Sequence, residues 1–242
     1  MADTAYQTQY RDEFIAGFEQ RQSLLRDTVT TEYEKTRGNT VVFLVADSGG
    51  VAAKTRGVNG LITARADDLT QNNITISEWH DLVRKTGFNI FASQGDQRRI
   101  MQETTMGVIN RKIDDQIIQD GLVTGSVTVG AASVIPTIDT IQNAQVKLQN
   151  ASVPWDSNVT LLAQPSLVSY LEEAPEFSKA TYVNMRPWAG EDENANWRDM
   201  PMAYRWKNML VISHPNLPGK ATTNESSYMY HKAAVGHAAD TS

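Results

Sequence analysis

The feature that most limits how this chain can fold is a long helical pattern in its first half. Ile100, Met101, Val108, Ile109, Ile113 and Ile117 recur at helical spacing. Ser93 with Asp96 three residues later forms a capping-box-like start, and Gly121 supplies the expected stop. About seven turns make a rod of ~40 Å. A helix of this length exceeds the common one and suits a spine laid across a domain. Arg98, Arg99, Arg111 and Lys112 stand among acidic neighbours, the pattern of a solvated or interfacial face.

What precedes the spine is extended. Residues 40–45 are β-branched and apolar and predict a strand, and residues 73–79 predict another, with Ile74 and Ile76 alternating with polar positions. Between them, residues 47–60 carry Gly49, Gly50, Gly57 and Gly60 among small side chains, longer than most hairpin turns. Together these pieces predict a long two-stranded ribbon with a flexible tip. Such a ribbon is marginal alone and needs a surface to settle on. Further upstream, residues 5–26 read as a helix, with Tyr6, Tyr10, Phe14, Phe18 and Leu25 near helical spacing. That helix either packs on its own core or forms an arm lying on a neighbouring subunit.

The second half alternates helix and strand. A Gly-, Thr- and Val-rich connector (residues 122–135) leads to Pro136, placed in the first turn of a helix to about residue 150. Residues 159–163 predict a strand, Pro165 opens a helix through Leu171, and an acidic loop with Glu191, Asp192 and Glu193 lies between Trp188 and Trp197. Strands at residues 209–213 and 228–233 close the chain. The alternation predicts a compact α+β or α/β domain.

Composition narrows the function classes. The 28 acidic residues outnumber 22 basic ones, giving a net charge of −6. A dedicated nucleic-acid binder takes most of its affinity from phosphate neutralisation and shows the opposite balance. Cysteine is absent, which excludes disulfides and thiolate metal sites. The longest apolar run, residues 41–46, is far short of the roughly 20 residues that span a bilayer. The polar start, Met1-Ala2-Asp3-Thr4, lacks the basic-then-apolar pattern of a secretory signal, so no membrane or export role is expected.

No constellation for chemistry survives inspection. Around Lys54-Thr55, a phosphate-binding loop would need glycine where Ala53 and Ser48 stand. Residues 192–196 begin like a calcium loop, but Trp197 replaces the turn glycine and Ala203 the bidentate glutamate. His80, His214, His231 and His237 include no pair at the helical spacing of a zinc protease. There is no Gly-x-Ser-x-Gly elbow. Asp114-Asp115 and Glu172-Glu173 are helical neighbours that point in different directions and read as solvated faces. No catalytic residue, cofactor or metal is expected.

Several phrases, taken in order, resemble a known family. They are residues 22–29 (Gln-Ser-Leu-Leu-Arg-Asp-Thr-Val), 40–43 (Thr-Val-Val-Phe), 52–57 (Ala-Ala-Lys-Thr-Arg-Gly), Trp79-His80-Asp81, the spine segment 107–118, and residues 230–238 (Tyr-His-Lys-Ala-Ala-Val-Gly-His-Ala). Their arrangement resembles the major capsid proteins of tailed bacteriophages of the Hong Kong 97 type, over nearly the whole chain. The resemblance implies an α+β capsid fold with residues 1–36 as an N-terminal arm and 37–75 as an extended β-loop. Residues 76–124 would be a peripheral domain holding the spine helix, and 125–242 an axial α/β domain. It also implies a non-enzymatic structural subunit that self-assembles as hexamers and pentamers into an icosahedral head shell in the host bacterial cytoplasm. That shell encloses DNA without sequence-specific binding, with scaffolding, portal or decoration proteins as further partners. Relatives continue past the Gly-His-Ala phrase with further strands, so the expectation is either a C-terminally shortened sequence or a closing strand supplied differently. Arg11, Phe14, Phe18, Lys54 and Arg56 are the candidate inter-subunit contacts. The competing readings are an encapsulin-like nanocompartment or tail-tube subunit and, in another class, an α/β hydrolytic enzyme using His214 or His231.

Overall fold

The computed structural model describes residues 23–32, 38–47, 52–57, 60, 62, 64, 68–88, 97–125, 127–131, 133–178, 183–187 and 202–239. Two compact units emerge, Met1–Thr30 with Trp79–Val235 and Thr31–Glu78 with Gly236–Ser242.

The smaller unit takes Thr31 and Glu32 of β1 (Thr30–Glu32), which pairs with the late strand β9 (Gly236–Ala238). Its ribbon joins β2 (Thr40–Asp47) to β3 (Asp68–Thr75), antiparallel in register from Thr40↔Thr75 to Asp47↔Asp68. The ribbon expected from the sequence is therefore present, but its second strand begins and ends earlier than residues 73–79. Only a bond from Ile76 N–H to Asn39 O prolongs the pairing. Gly236 lies against the Phe43 ring, where an added Cβ would stand 3.3 Å away.

The larger unit is built on a five-stranded sheet in the order β5-β6-β7-β4-β8, formed by β4 (Val159–Ala163), β5 (Val183–Pro187), β6 (Met202–Trp206), β7 (Met209–Ser213) and β8 (Tyr228–His231). Strands β4 and β7 are parallel and the other pairs antiparallel. The spine is α1 (Gln97–Gln116), prolonged by a π-helical turn, Ile117–Leu122. Then come α2 (Ile138–Asn150), α3 (Pro165–Glu173) and the short α4 (Pro175–Ser178).

Both faces of this sheet are covered, and that explains its sequence. On one side Leu162, Ala203, Ile212 and Tyr230 pack with Ile117, Ile118 and Leu122 of the spine and with Leu24, Leu25 and Val29. On the other, Val159, Leu161, Met209, Val211 and Trp206 meet Ile141, Leu167, Leu171 and Phe177 from α2, α3 and α4. A strand covered on both faces reads as a near-continuous apolar run, as β4 (Val-Thr-Leu-Leu-Ala) does.

Several sequence expectations are corrected. Gly121 does not stop the spine but lies inside its π-helical turn, where an added Cβ would come within 2.9 Å of Val235 Cγ1. Its role is close packing. Pro136 stands outside α2, whose N-cap is Thr137 in a reciprocal capping box with Thr140. The last predicted strand ends at His231, followed by a 3₁₀ turn, Lys232–Ala234. Strands β5 and β6 were not foreseen. Of the helix expected at 5–26, residues 1–22 lie outside the described residues, and Arg26–Thr28 form a 3₁₀ turn. The Ser93–Asp96 cap and the loop at 188–200 also lie outside them.

Candidate assembly surfaces

Pleating sorts the ribbon into two unlike faces, because alternate side chains of a strand point to opposite sides. One face carries Val41, Phe43 and Val45 from β2 opposite Ile74, Asn72 and Thr70 of β3. Near its base this face is covered: Val41 is buried, and Phe43 and Ile74 are half-buried. The other face carries Val42, Leu44 and Ala46 opposite Asn73, Gln71 and Leu69. There Val42 is 47% exposed, Leu44 68% and Leu69 70%. These exposed aliphatic side chains thus fall on one face of the ribbon in a contiguous row, unlike the scattered single exposures that are ordinary on a protein surface.

Of the five contact candidates, Arg11, Phe14 and Phe18 lie outside the described residues. Lys54 and Arg56 lie in an exposed segment, residues 52–57, with no regular structure. The Arg56 guanidinium folds back, its Nε donating to Gly60 O at 3.3 Å, while Gly60 N–H donates to Gly57 O at 2.8 Å. Gly60 holds φ +72°, a conformation that glycine adopts without steric cost.

A second cluster is buried within the larger unit, and the sequence reading missed it. Asp114 was expected on a solvated face, yet it is 1% exposed. Its Oδ1 accepts from Ser23 Oγ at 2.5 Å and Leu25 N–H at 3.3 Å, and its Oδ2 accepts from Leu24 N–H at 3.1 Å. His214, 2% exposed, presents Nε2 at 3.7 Å from the same Oδ2. Asp114 shares a helical stripe with Ile117, Ile118 and Leu122, at spacings of three, four and eight. That apolar stripe was the available sign that its side chain turns inward. Asp115 behaves as expected of a surface group, accepting from Lys112 Nζ at 2.8 Å. Lys112 Nζ also sits 4.3 Å from the centre of the Trp79 ring.

Neither histidine of the enzymatic reading is arranged as a base. His214 Nδ1 accepts from Asn216 N–H at 3.3 Å, so its Nε2 carries the proton and faces Asp114. His231 Nδ1 accepts from Ala233 N–H at 3.1 Å and its Nε2 donates to Asp156 at 3.1 Å. Asp156 is held below the usual carboxylate range, chiefly by hydrogen bonds from the Asn158 backbone and side chain. A groove of about 670 Å³ runs between the connector after α1, α2 and the 222–227 loop. Its Ser166 hydroxyl is held by the Glu225 carboxylate, and no histidine lines it. Among the described residues no group of three or more His, Cys, Asp or Glu side chains is placed to hold a metal ion. None of the described helices is long and apolar enough to cross a membrane.

The phage capsid protein family model matches residues 2–242. The chain belongs to the phage capsid protein family. It is a major capsid subunit, a structural protein and a component of the virion. Solved structures share the mixed helix-and-sheet fold at low identity. A chain of Mycobacterium phage Che8 superposes with a TM-score of 0.70 at 16% identity, covering 98% of this chain and 84% of that one. The capsid of cyanophage P-SCSP1u gives 0.62 at 13% identity, covering 98% and 80%. The capsid of a native GTA particle gives 0.55 at 15% identity, covering 98% and 96%. No curated protein matches by sequence.

Proposed function

We infer that this capsid subunit is of the Hong Kong 97 type and that its ribbon is the principal instrument of assembly. The observation that carries the reading is the aliphatic row Val42, Leu44, Ala46 and Leu69 facing solvent on one side of a ribbon whose opposite face is covered at its base. An element that leaves its own apolar face uncovered finds its cover on another copy, and closed shells are built from such repeated contacts. In this reading residues 1–36 are the arm, 37–75 the extended β-loop, 76–124 the peripheral domain and 125–242 the axial domain. Arg11, Phe14, Phe18, Lys54 and Arg56 join the aliphatic row as inter-subunit contacts.

The assembled form is an icosahedral shell of hexamers and pentamers, built in the host cytoplasm, with scaffolding, portal or decoration proteins as further partners. It encloses DNA without reading sequence, in keeping with a net charge of −6. The subunit is not an enzyme. Supporting this, both ring nitrogens of His214 and His231 are engaged with or face protein groups. Negative-stain electron microscopy of the purified protein tests the reading. Hollow icosahedra are expected, and deletion of residues 48–60 should abolish them. Tubes would favour a tail-tube subunit, persistent monomers with hydrolytic turnover would favour an enzyme, and normal shells from the deleted chain would remove the ribbon from assembly.

A further inference from the structure

The cluster around Asp114 joins two segments that are remote in sequence. On one side is the root of the N-terminal segment, held by Ser23 Oγ–H, Leu24 N–H and Leu25 N–H on the carboxylate, with Leu25 fully buried beneath them. On the other side is the loop that follows β7, entered through His214. His214 serves both. Its Nδ1 lone pair receives Asn216 N–H, and its Nε2–H faces Asp114 Oδ2. Beyond Asn216 the loop is pinned, because the buried Gln164 amide donates to Leu217 O at 3.0 Å. The stretch free to respond to His214 is therefore Pro215-Asn216.

We propose that His214 is a proton-operated latch that couples the root of the arm to the loop after β7. A proton added at Nδ1 leaves that nitrogen unable to accept, so Asn216 N–H meets a donor and must turn away. The same proton makes the ring cationic, and its Nε2–H draws Asp114 Oδ2 across the 3.7 Å gap. That oxygen holds Leu24 N–H, so the root loosens at Leu24 while the loop loosens at Asn216. The charged and titratable groups facing this site come from three elements. Asp114 belongs to α1. Tyr230, on β8, has its hydroxyl pushed well above the usual range by burial and secondarily by the charge of Asp114. Lys220, in the loop, donates to Asn216 Oδ1 at 3.2 Å and would follow any movement of that residue.

Amide hydrogen exchange on the full chain, corrected for the intrinsic pH dependence and resolved at Leu24 and Asn216, tests the latch. Between pH 8 and pH 5 both amides are expected to lose protection by at least tenfold, with one midpoint, while Leu217 and its neighbours stay protected. In His214→Gln the pH-dependent change at Leu24 should vanish. Loss of protection at Asn216 without Leu24, different midpoints for the two, or an undiminished response in His214→Gln would each overturn the proposal. If His214→Gln does not fold, the common midpoint in the unaltered chain still decides.

Discussion

The aliphatic row on the ribbon can be tested through Leu44. Its side chain is 68% exposed, so its own fold gains little from it, and replacing it should change stability toward urea by less than about 0.5 kcal/mol. Covered by a neighbour, it would bury the remaining two-thirds of its surface. Full burial of a leucine is worth about 1.5–3 kcal/mol, so the contact stands to gain about 1–2 kcal/mol per subunit. At ~1.4 kcal/mol per tenfold, Leu44→Ala should raise the concentration needed for assembly about five- to thirtyfold. Leu44→Asp should do more, since it also desolvates a carboxylate against apolar surface. The assay is light scattering and sedimentation across a dilution series, with microscopy to identify the product. Asn72→Asp is the control, because Asn72 is exposed on the opposite face, paired with Phe43. It places a similar charge on the ribbon without touching the row. An unchanged assembly threshold for Leu44→Asp, or an equal defect in Asn72→Asp, would refute the reasoning.

Three further outcomes follow from the larger unit. Gly121→Ala should destabilise by about 1 kcal/mol, overpacking against Val235 Cγ1 outweighing the better helix propensity of alanine, and the penalty should disappear in a Val235→Ala background when both are measured by urea unfolding. Asp114→Asn should cost about 3 kcal/mol in the same assay, because an amide nitrogen then faces groups that donate to the carboxylate, whereas Ser23→Ala should cost about 1 kcal/mol. At alkaline pH, Tyr204 donates to Glu172 Oε1 at 2.7 Å, and this bond, with burial, pushes the phenol up to about 12. A raised folded-state value means that its contribution is complete below about pH 10 and is lost as pH rises toward about 12. Tyrosinate absorbance should therefore rise late in the folded chain, and Tyr204→Phe should flatten the loss of stability across that window.

What the sequence made legible was set by periodicity. The ribbon's first strand, the spine, β4 and β7 each carry several apolar residues at one spacing, and all are found close to where that spacing puts them. The hairpin between β6 and β7 was missed because its turn is Lys207-Asn208, both at positive φ (46° and 65°). That geometry matches a type I′ turn, for which the usual sign is Asn-Gly or Asp-Gly. The inward turn of Asp114 was obscured by its neighbour Asp115, since an acidic pair on a helix looks like surface until the stripe through Ile117 and Ile118 is followed. The contact candidates divide similarly. Lys54 and Arg56 sit in an exposed segment, as glycine-rich surroundings led one to expect, but the aliphatic row escaped notice. Strand alternation alone does not say which face a ribbon leaves uncovered, and here the covering element, Gly236 against Phe43, lies near the far end of the chain.

That far end also fixes an order of events during synthesis. The hydroxyls of Thr28 and Tyr230 meet at 2.6 Å across 202 positions of sequence. At ~5–20 residues per second, about 10–40 s separate their emergence from the ribosome. For most of that interval Leu24, Leu25 and Val29 lack Ile212 and Leu217, and for all of it they lack Tyr230, the late-made part of the core that encloses them. The segment from Leu24 to Val29 is thus among the last parts of the subunit to be seated. A chain broken off before β8 would leave Leu24, Leu25 and Val29 without Tyr230, and Thr28 without its hydroxyl partner.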